Sequence, residues 1–263
     1  MTNAMASGPR GLGVTAGLDP GVAAGLAARC AELRFDSLWS NDEPTAPGLE
    51  TLAHFAAGAP QLELGVGVLP LDRHRPAQIA AEIDQLGLDP TKLWLGIGSG
   101  RLRPQLEPVR QAIAELRDLL PDARIVVGAM RPALCRLGGT LADGVLLNWM
   151  LPGQAEHARG WVHEGAGRAG RTPPISALYV RVAVGPGATQ RLLDEEGRYR
   201  RMDAAHFAAM DVPLGAVGVA AMGRGEVVEV LAPYQAAVDL PIVRVLAPGE
   251  LAPLVAVAEA AAP

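Results

Sequence analysis

Aromatic residues make up only 4% of this 263-residue chain, and it has two cysteines. The scarcity of rings leaves the core to small and aliphatic side chains, in keeping with 49% hydrophobic residues and with a packed globular chain rather than a fibrous or disordered one. Cys30 and Cys135 each fall in a predicted helix among apolar neighbours, which reads as two plain buried thiols rather than a disulfide or a metal pair. No apolar run approaches the roughly 20 residues that cross a bilayer, so no membrane partner is expected. A basic surplus is also missing: the formal charge of −5 argues against a nucleic-acid partner. Met1 to Arg10 carry no apolar signal core, so the sequence reads as cytoplasmic with a flexible tail over residues 1–10. Neither Gly-x-Ser-x-Gly nor His-Glu-x-x-His occurs, and no other metal-ligand spacing does. Nucleophilic and zinc chemistry therefore lack support, and no metal site is expected.

What is present is a regular alternation of strand and helix. Strands are predicted at Gly11–Ala16, Asp36–Ser40, Leu62–Leu69, Leu93–Gly98, Arg124–Ala129, Asp143–Asn148, Ile175–Val184 and Pro241–Leu246. Their short apolar runs, without polar alternation, suit strands covered on both faces. Helical patterns lie between them, the first opened by Asp19-Pro20 as cap and first-turn proline and running to Leu33. Others are predicted over Gly48–Ala57, Pro76–Leu86, Pro104–Leu120, Pro132–Leu137, Gln154–Ala169 and Glu250–Ala261. Eight strands in this rhythm predict an α/β fold, a (β/α)₈ TIM barrel, with an open doubly wound sheet as the alternative. Barrels of this kind commonly have about 250 residues. Residues 11–263 read as a single barrel domain. The rhythm breaks between strands seven and eight, where Pro186–Val238 forms an insertion with helical material at Thr189–Met210 and Glu226–Ala237 around a loose Val212–Gly225 segment. Such long excursions are usually lids or interfaces.

In a parallel barrel the residues after the carboxyl ends of the strands share the active face. The run Leu93-Trp94-Leu95-Gly96-Ile97-Gly98-Ser99-Gly100 is the most telling, because glycines there let a flat or anionic group approach the backbone. Around it come Asn41, Asp42 and Glu43; Asp72, Arg73, His74 and Arg75; Arg101 and Arg103; Gly128, Met130 and Arg131; and Asn148, Trp149 and Met150. Arginines at helix starts oppose the helix dipole, which is explained if an anionic ligand sits nearby. The other reading is that they pair with Asp42, Glu43 and Asp72. Trp39 and Trp149 either flank a planar ring or belong to the core. Asp42 and Glu43 are acid–base candidates or loop and capping residues. His74 reads as an anion contact or surface residue, and His206 as a helix-surface residue or a group reaching the mouth from a lid.

The segments Phe35-Asp36-Ser37-Leu38-Trp39-Ser40-Asn41-Asp42, Leu64-Gly65-Val66-Gly67-Val68-Leu69-Pro70 with Arg75-Pro76, Leu95-Gly96-Ile97-Gly98-Ser99-Gly100, and Ala142-Asp143-Gly144-Val145-Leu146-Leu147-Asn148-Trp149 occur in this order. In them, and over residues 11–184, the chain resembles the bacterial luciferase-like monooxygenase family, in particular its deazaflavin-dependent oxidoreductases, common in actinobacteria. The resemblance implies a barrel that binds coenzyme F-420, or FMN as the alternative, across its C-terminal face and moves hydride to or from an organic substrate. It places Asp42, or Glu43, at the proton-transfer position. Trp39, Asn41 and the Gly67–Val68 pair would meet the ring, the latter through a non-proline cis peptide. Gly98, Ser99 and Gly100 would border the ring, Gly128, Ala129, Asn148 and Trp149 its side chain and phosphate, and Arg73, Arg101 and Arg131 its anionic tail. A homodimer is expected, a flavin reductase partner if FMN is the cofactor, and a small-molecule substrate in either case. Two positions depart from the pattern: Glu43 stands where many deazaflavin members have histidine, and Arg101 where an acidic residue is common. A non-catalytic flavin- or deazaflavin-binding barrel is therefore a third reading.

Overall fold

The computed structural model describes residues 8–263, so most of the expected N-terminal tail, residues 1–7, lies outside the described part. Nine strands run through it: β1 (Gly11–Val14), β2 (Ser37–Ser40), β3 (Glu63–Pro70), β4 (Leu93–Gly98), β5 (Arg124–Gly128), β6 (Gly144–Asn148), β7 (Ile175–Val184), β8 (Val219–Ala221) and β9 (Leu240–Val245). Eight of them pair in parallel and in order, and β9 joins β7 to β1 while β6 pairs with β7, which closes the barrel. The predicted (β/α)₈ barrel is thus observed, and the open sheet is not.

Helices cover the outside: α1 (Pro20–Glu32), α2 (Gly48–Gly58), α3 (Pro76–Gln85), α4 (Leu106–Leu119), α5 (Pro132–Leu141), α6 (Pro152–Arg168) and, at the end, α10 (Leu251–Ala260). Proline opens α1, α3, α5 and α6, where its fixed φ suits the first turn and its missing N–H is not needed. Asp19 caps α1 by accepting from Gly21 N at 2.8 Å. No helix among the described residues is long and apolar enough to cross a membrane.

Side-chain alternation along the strands sorts the core into two parts. Outward residues such as Leu38, Val66, Leu95, Val127, Leu147 and Val180 pack under the helices. Inward residues form a smaller plug of Trp39, Trp94, Val126, Leu146, Ala177, Tyr179, Leu240 and Ile242. Two tryptophans fit inside because glycines face them: Gly13 and Gly65 pair with Trp39, and a Cβ at Gly65 would overlap its indole ring.

The insertion between β7 and β9 is more structured than the sequence suggests. It holds α7 (Ala188–Met202), α8 (Ala204–Met210), β8 and α9 (Arg224–Ala237). The helical material expected over Thr189–Met210 forms two helices that part at Asp203, whose side chain turns to cap α8 at His206 N, 3.2 Å away. The expected loose segment contains β8, which pairs with the far end of β7. α5 continues past its expected end at Leu137, because Gly138 and Gly139 are packing residues rather than helix terminators. A Cβ at Gly139 would overlap the Val162 carbonyl of α6.

Candidate active site

Above the tryptophan plug, the next inward positions form the barrel mouth. They are Gly67 on β3, Gly98 on β4, Gly128 on β5 and Asn148 on β6, which line a cavity, then Arg181 on β7 and Arg244 on β9, which are buried and outside its lining. One half of the mouth is therefore bare backbone, and the other half is polar and cationic.

The bare half opens into a cavity of about 460 Å³, within the usual size range of small-molecule and cofactor sites. Gly67, Val68, Gly98, Ser99, Gly100, Arg103, Gly128, Ala129, Met130, Arg131, Leu146, Asn148 and Tyr179 line it, with Met202 and Asp203 of the insertion on its rim. The Gly67–Val68 peptide is cis. The β3–β4 register shifts between Val66 and Leu69, and the Val68 side chain turns over the two neighbouring strands. A Cβ at Gly98 would lie 2.9 Å from Val68 Cγ2, and one at Gly128 would lie 2.8 Å from Val68 Cγ1. Gly100 has φ +55°, and a Cβ there would overlap the Asp72 carboxylate, so glycine is required at that turn.

The residues expected to touch a cofactor divide into two groups. Gly67, Val68, Gly98, Ser99, Gly100, Gly128, Ala129, Arg131 and Asn148 line one cavity. Trp39, Asn41, Asp42, Glu43, Arg73, Arg101 and Trp149 do not. Trp39 is fully buried in the plug below and donates its Nε1–H to Ser37 Oγ at 2.9 Å. Trp149 is buried beneath the insertion with φ +50°, and its carbonyl accepts from His206 Nε2 at 2.7 Å. Asn41 accepts from Ala16 N at 2.9 Å and donates to Glu43 Oε1 at 2.6 Å, so Glu43 is tied to the loop that follows β2.

Asp42 is a buried hub. Its side chain is 2% exposed and accepts from Arg73 Nη2 at 2.6 Å, with His74 Nε2 at 2.8 Å and Gly48 N at 3.0 Å. Arg101, whose side chain is 91% exposed, pairs with Asp72 at 2.9 Å, and that hydrogen bond holds the Asp72 carboxyl below the usual carboxylate range. For Arg73 and Arg101 the loop-pairing alternative therefore describes the geometry. Arg131 faces the cavity and pairs with Asp203 at 3.3 Å.

Several mouth residues escaped the sequence reading. Tyr179 lies on the cavity floor, with its hydroxyl unpartnered among protein atoms. Burial raises its pKa well above the ordinary tyrosine value, so the hydroxyl stays protonated and can donate. Arg181 and Arg244 were missed as well, although an arginine inside the apolar runs Ile175–Val184 and Leu240–Val245 was a visible signal. Among the described residues, no group of three or more His, Cys, Asp or Glu side chains is arranged to hold a metal ion.

No family model matches the chain. Among solved structures it is similar to an F-420-dependent secondary alcohol dehydrogenase in complex with an F-420–acetone adduct, at 16% identity and a TM-score of 0.77 over 97% of this chain and 99% of that one. It is similar to a coenzyme F-420-dependent tetrahydromethanopterin reductase from Methanopyrus kandleri, at 16% identity and a TM-score of 0.75 over 97% and 98% of the two chains. It is also similar to the oxygenating constituent of 3,6-diketocamphane monooxygenase from Pseudomonas putida in complex with FMN, at 15% identity and a TM-score of 0.69 over 97% of each. At such identities the likeness establishes the fold.

Proposed function

We propose that this chain is an oxidoreductase that transfers a hydride between reduced coenzyme F-420 and an organic substrate. The observation that carries the reading is the glycine-lined half of the mouth, a slot of bare backbone with arginines at its rim. Its residues fit a flat, anionic group: Gly98 and Gly128 leave room for the Val68 isopropyl group, which with the Gly67, Gly98 and Gly128 backbone gives the cavity a low wall against which a ring can lie. Backbone exposed in this way suits close stacking of a planar group. Arg103 and Arg131 border the same cavity and suit the phosphate and carboxylates of the cofactor tail.

The deazaflavin, when bound, supplies a two-electron hydride carrier; the protein supplies binding, orientation and the proton. Reduction of a polarised double bond needs one hydride and one proton, and we assign the proton to Glu43, whose carboxylate accepts from Asn41 Nδ2 at 2.6 Å in the loop after β2. Asp42 is then a positioning residue that holds Arg73, His74 and the start of α2 in place.

FMN is the second reading, favoured by the number of cations. Arg103 and Arg131 line the cavity, Arg131 while paired with Asp203, Arg73 and Arg101 are engaged by Asp42 and Asp72, and FMN carries a single phosphate. Fluorescence titration of the purified chain with F-420 and with FMN, at two salt concentrations, separates the readings. Salt-sensitive binding of F-420 in preference to FMN is the expected result. Preference for FMN transfers the site to flavin monooxygenase chemistry, and binding of neither leaves a barrel without this cofactor function.

A further inference from the structure

We infer that Arg181 and Arg244 form a carboxylate-binding subsite for the substrate, on the side of the mouth opposite the glycine slot. The assignment of this anion to the substrate rests on the proposed cofactor reading of the slot; the subsite itself rests on separate observations.

Arg181 and Arg244 occupy directly paired positions on adjacent parallel strands. They follow the inward residues Tyr179 and Ile242 by two positions, so both point into the barrel. Arg181 is 2% exposed and Arg244 4%. Neither has a carboxylate partner among the described residues. Arg181 donates through Nη1 to Asn148 Oδ1, and its Nε–H finds no acceptor. Arg244 donates through Nη2 to Thr15 Oγ1 at 2.9 Å, and its buried Nη1 finds none.

Two like charges side by side, buried and without a carboxylate in contact, work against folding. The fold nevertheless fixes one of them firmly. The Arg181 guanidinium carbon lies 3.9 Å from the Trp149 ring centroid and 5.2 Å from that of Tyr199 on α7. Burial pushes the Arg181 guanidinium down to about 10, which leaves it charged at neutral pH. Tyr179 connects this pair to the cavity: its ring lies 5.9 Å from the Arg181 guanidinium carbon, its hydroxyl is unpartnered, and it lines the cavity wall.

Two cationic forks and one hydroxyl, each with an unmatched donor, suit an acceptor-only group. A carboxylate has two oxygens with about four acceptor sites and pairs with arginine in a planar fork. The substrate class is therefore a small organic acid, held by its carboxylate next to the cofactor slot.

The test uses the full chain with acetate, propionate, malonate and benzoate, each against its primary amide, and with inorganic phosphate, by calorimetry and thermal melting. The acids are expected to bind and raise Tm, the amides not. Arg244→Met should weaken acid binding by about tenfold or more and leave F-420 affinity unchanged. Its Tm should not fall, because an uncompensated buried charge is removed; a purely structural arginine would lower it. Should Arg244→Met fail to fold, Arg244→Lys keeps the charge while losing the fork, and should still bind acids more weakly. Equal binding of acids and amides, preference for phosphate over every acid, or unchanged acid affinity in the arginine variants overturns the assignment. Arginine-dependent acid binding in a chain that binds no F-420 upholds the subsite and counts against the cofactor reading instead.

Discussion

Val68 on β3 reaches across β4 to cover Gly128 on β5: a Cβ at Gly128 would lie 2.8 Å from Val68 Cγ1. The missing side chain on one strand makes room for the isopropyl group that backs the cavity. Gly128→Ala forces Val68 to shift, which costs about 1 kcal/mol of stability. In the proposed function it also weakens ring binding by about tenfold. Thermal melting and fluorescence titration of the same variant check the two effects. A lowered Tm with an unchanged titration would mean that Val68 backs only the protein core.

The mouth arginines are not equivalent. Arg103 and Arg131 border the cavity, whereas Arg101 points outward and pairs with Asp72. Arg103→Ala and Arg131→Ala are each expected to weaken F-420 binding several-fold at low salt, with the loss shrinking as salt screens the charge. Arg101→Ala should leave the titration unchanged. An equal loss in all three would point to long-range attraction rather than contact.

Asp42 is more important for stability than its place beside the mouth suggests. Asp42→Asn removes the charge that accepts from Arg73 at 2.6 Å and meets His74 at 2.8 Å. Hydrogen bonds to charged groups support about 2 kcal/mol of stability in this setting, and a drop of that size is expected in urea unfolding. Glu43→Gln, at a half-buried side chain, should leave unfolding nearly unchanged and reduce turnover once a substrate is found. The opposite pattern, with Asp42→Asn silent in unfolding, would remove its positioning role.

Both cysteines are buried and free, and burial pushes each thiol up from 9.0 to about 12. A thiol reagent at pH 8 should therefore label the native chain slowly and the unfolded chain at once. The raised values also set the alkaline behaviour. Below pH 9 the thiols are protonated in both states, so their contribution is fully present. Between pH 9 and about 12 the unfolded chain loses these protons first, and stability falls. A Tm series from pH 8 to pH 11 should decline less in the Cys30→Ala, Cys135→Ala double variant.

Much of the barrel was legible because strand and helix periods are local properties of the chain. The strands predicted at Ile175–Val184 and Leu93–Gly98 are observed with those bounds, since each is a short apolar run between turn residues. The break at Asp203 and the strand Val219–Ala221 were not legible. The first depends on a side-chain cap, and the second on the far end of β7 offering a pairing edge. At the mouth, glycines could be read as places of close approach. Whether an arginine faced the cavity or a neighbouring loop carboxylate could not, because Asp42 and Arg73 meet only once β2 and β3 lie side by side.

By itself, then, the sequence determined the alternation of strand and helix and the glycines at the strand ends, through backbone preferences that act within a few residues. Tertiary structure alone decided which charges are compensated. Arg73 and Arg101 find carboxylates, while Arg181 and Arg244 are carried inward by strand alternation to a place without one. Charge pairing is set by distance in space, and closing the barrel is what sets those distances.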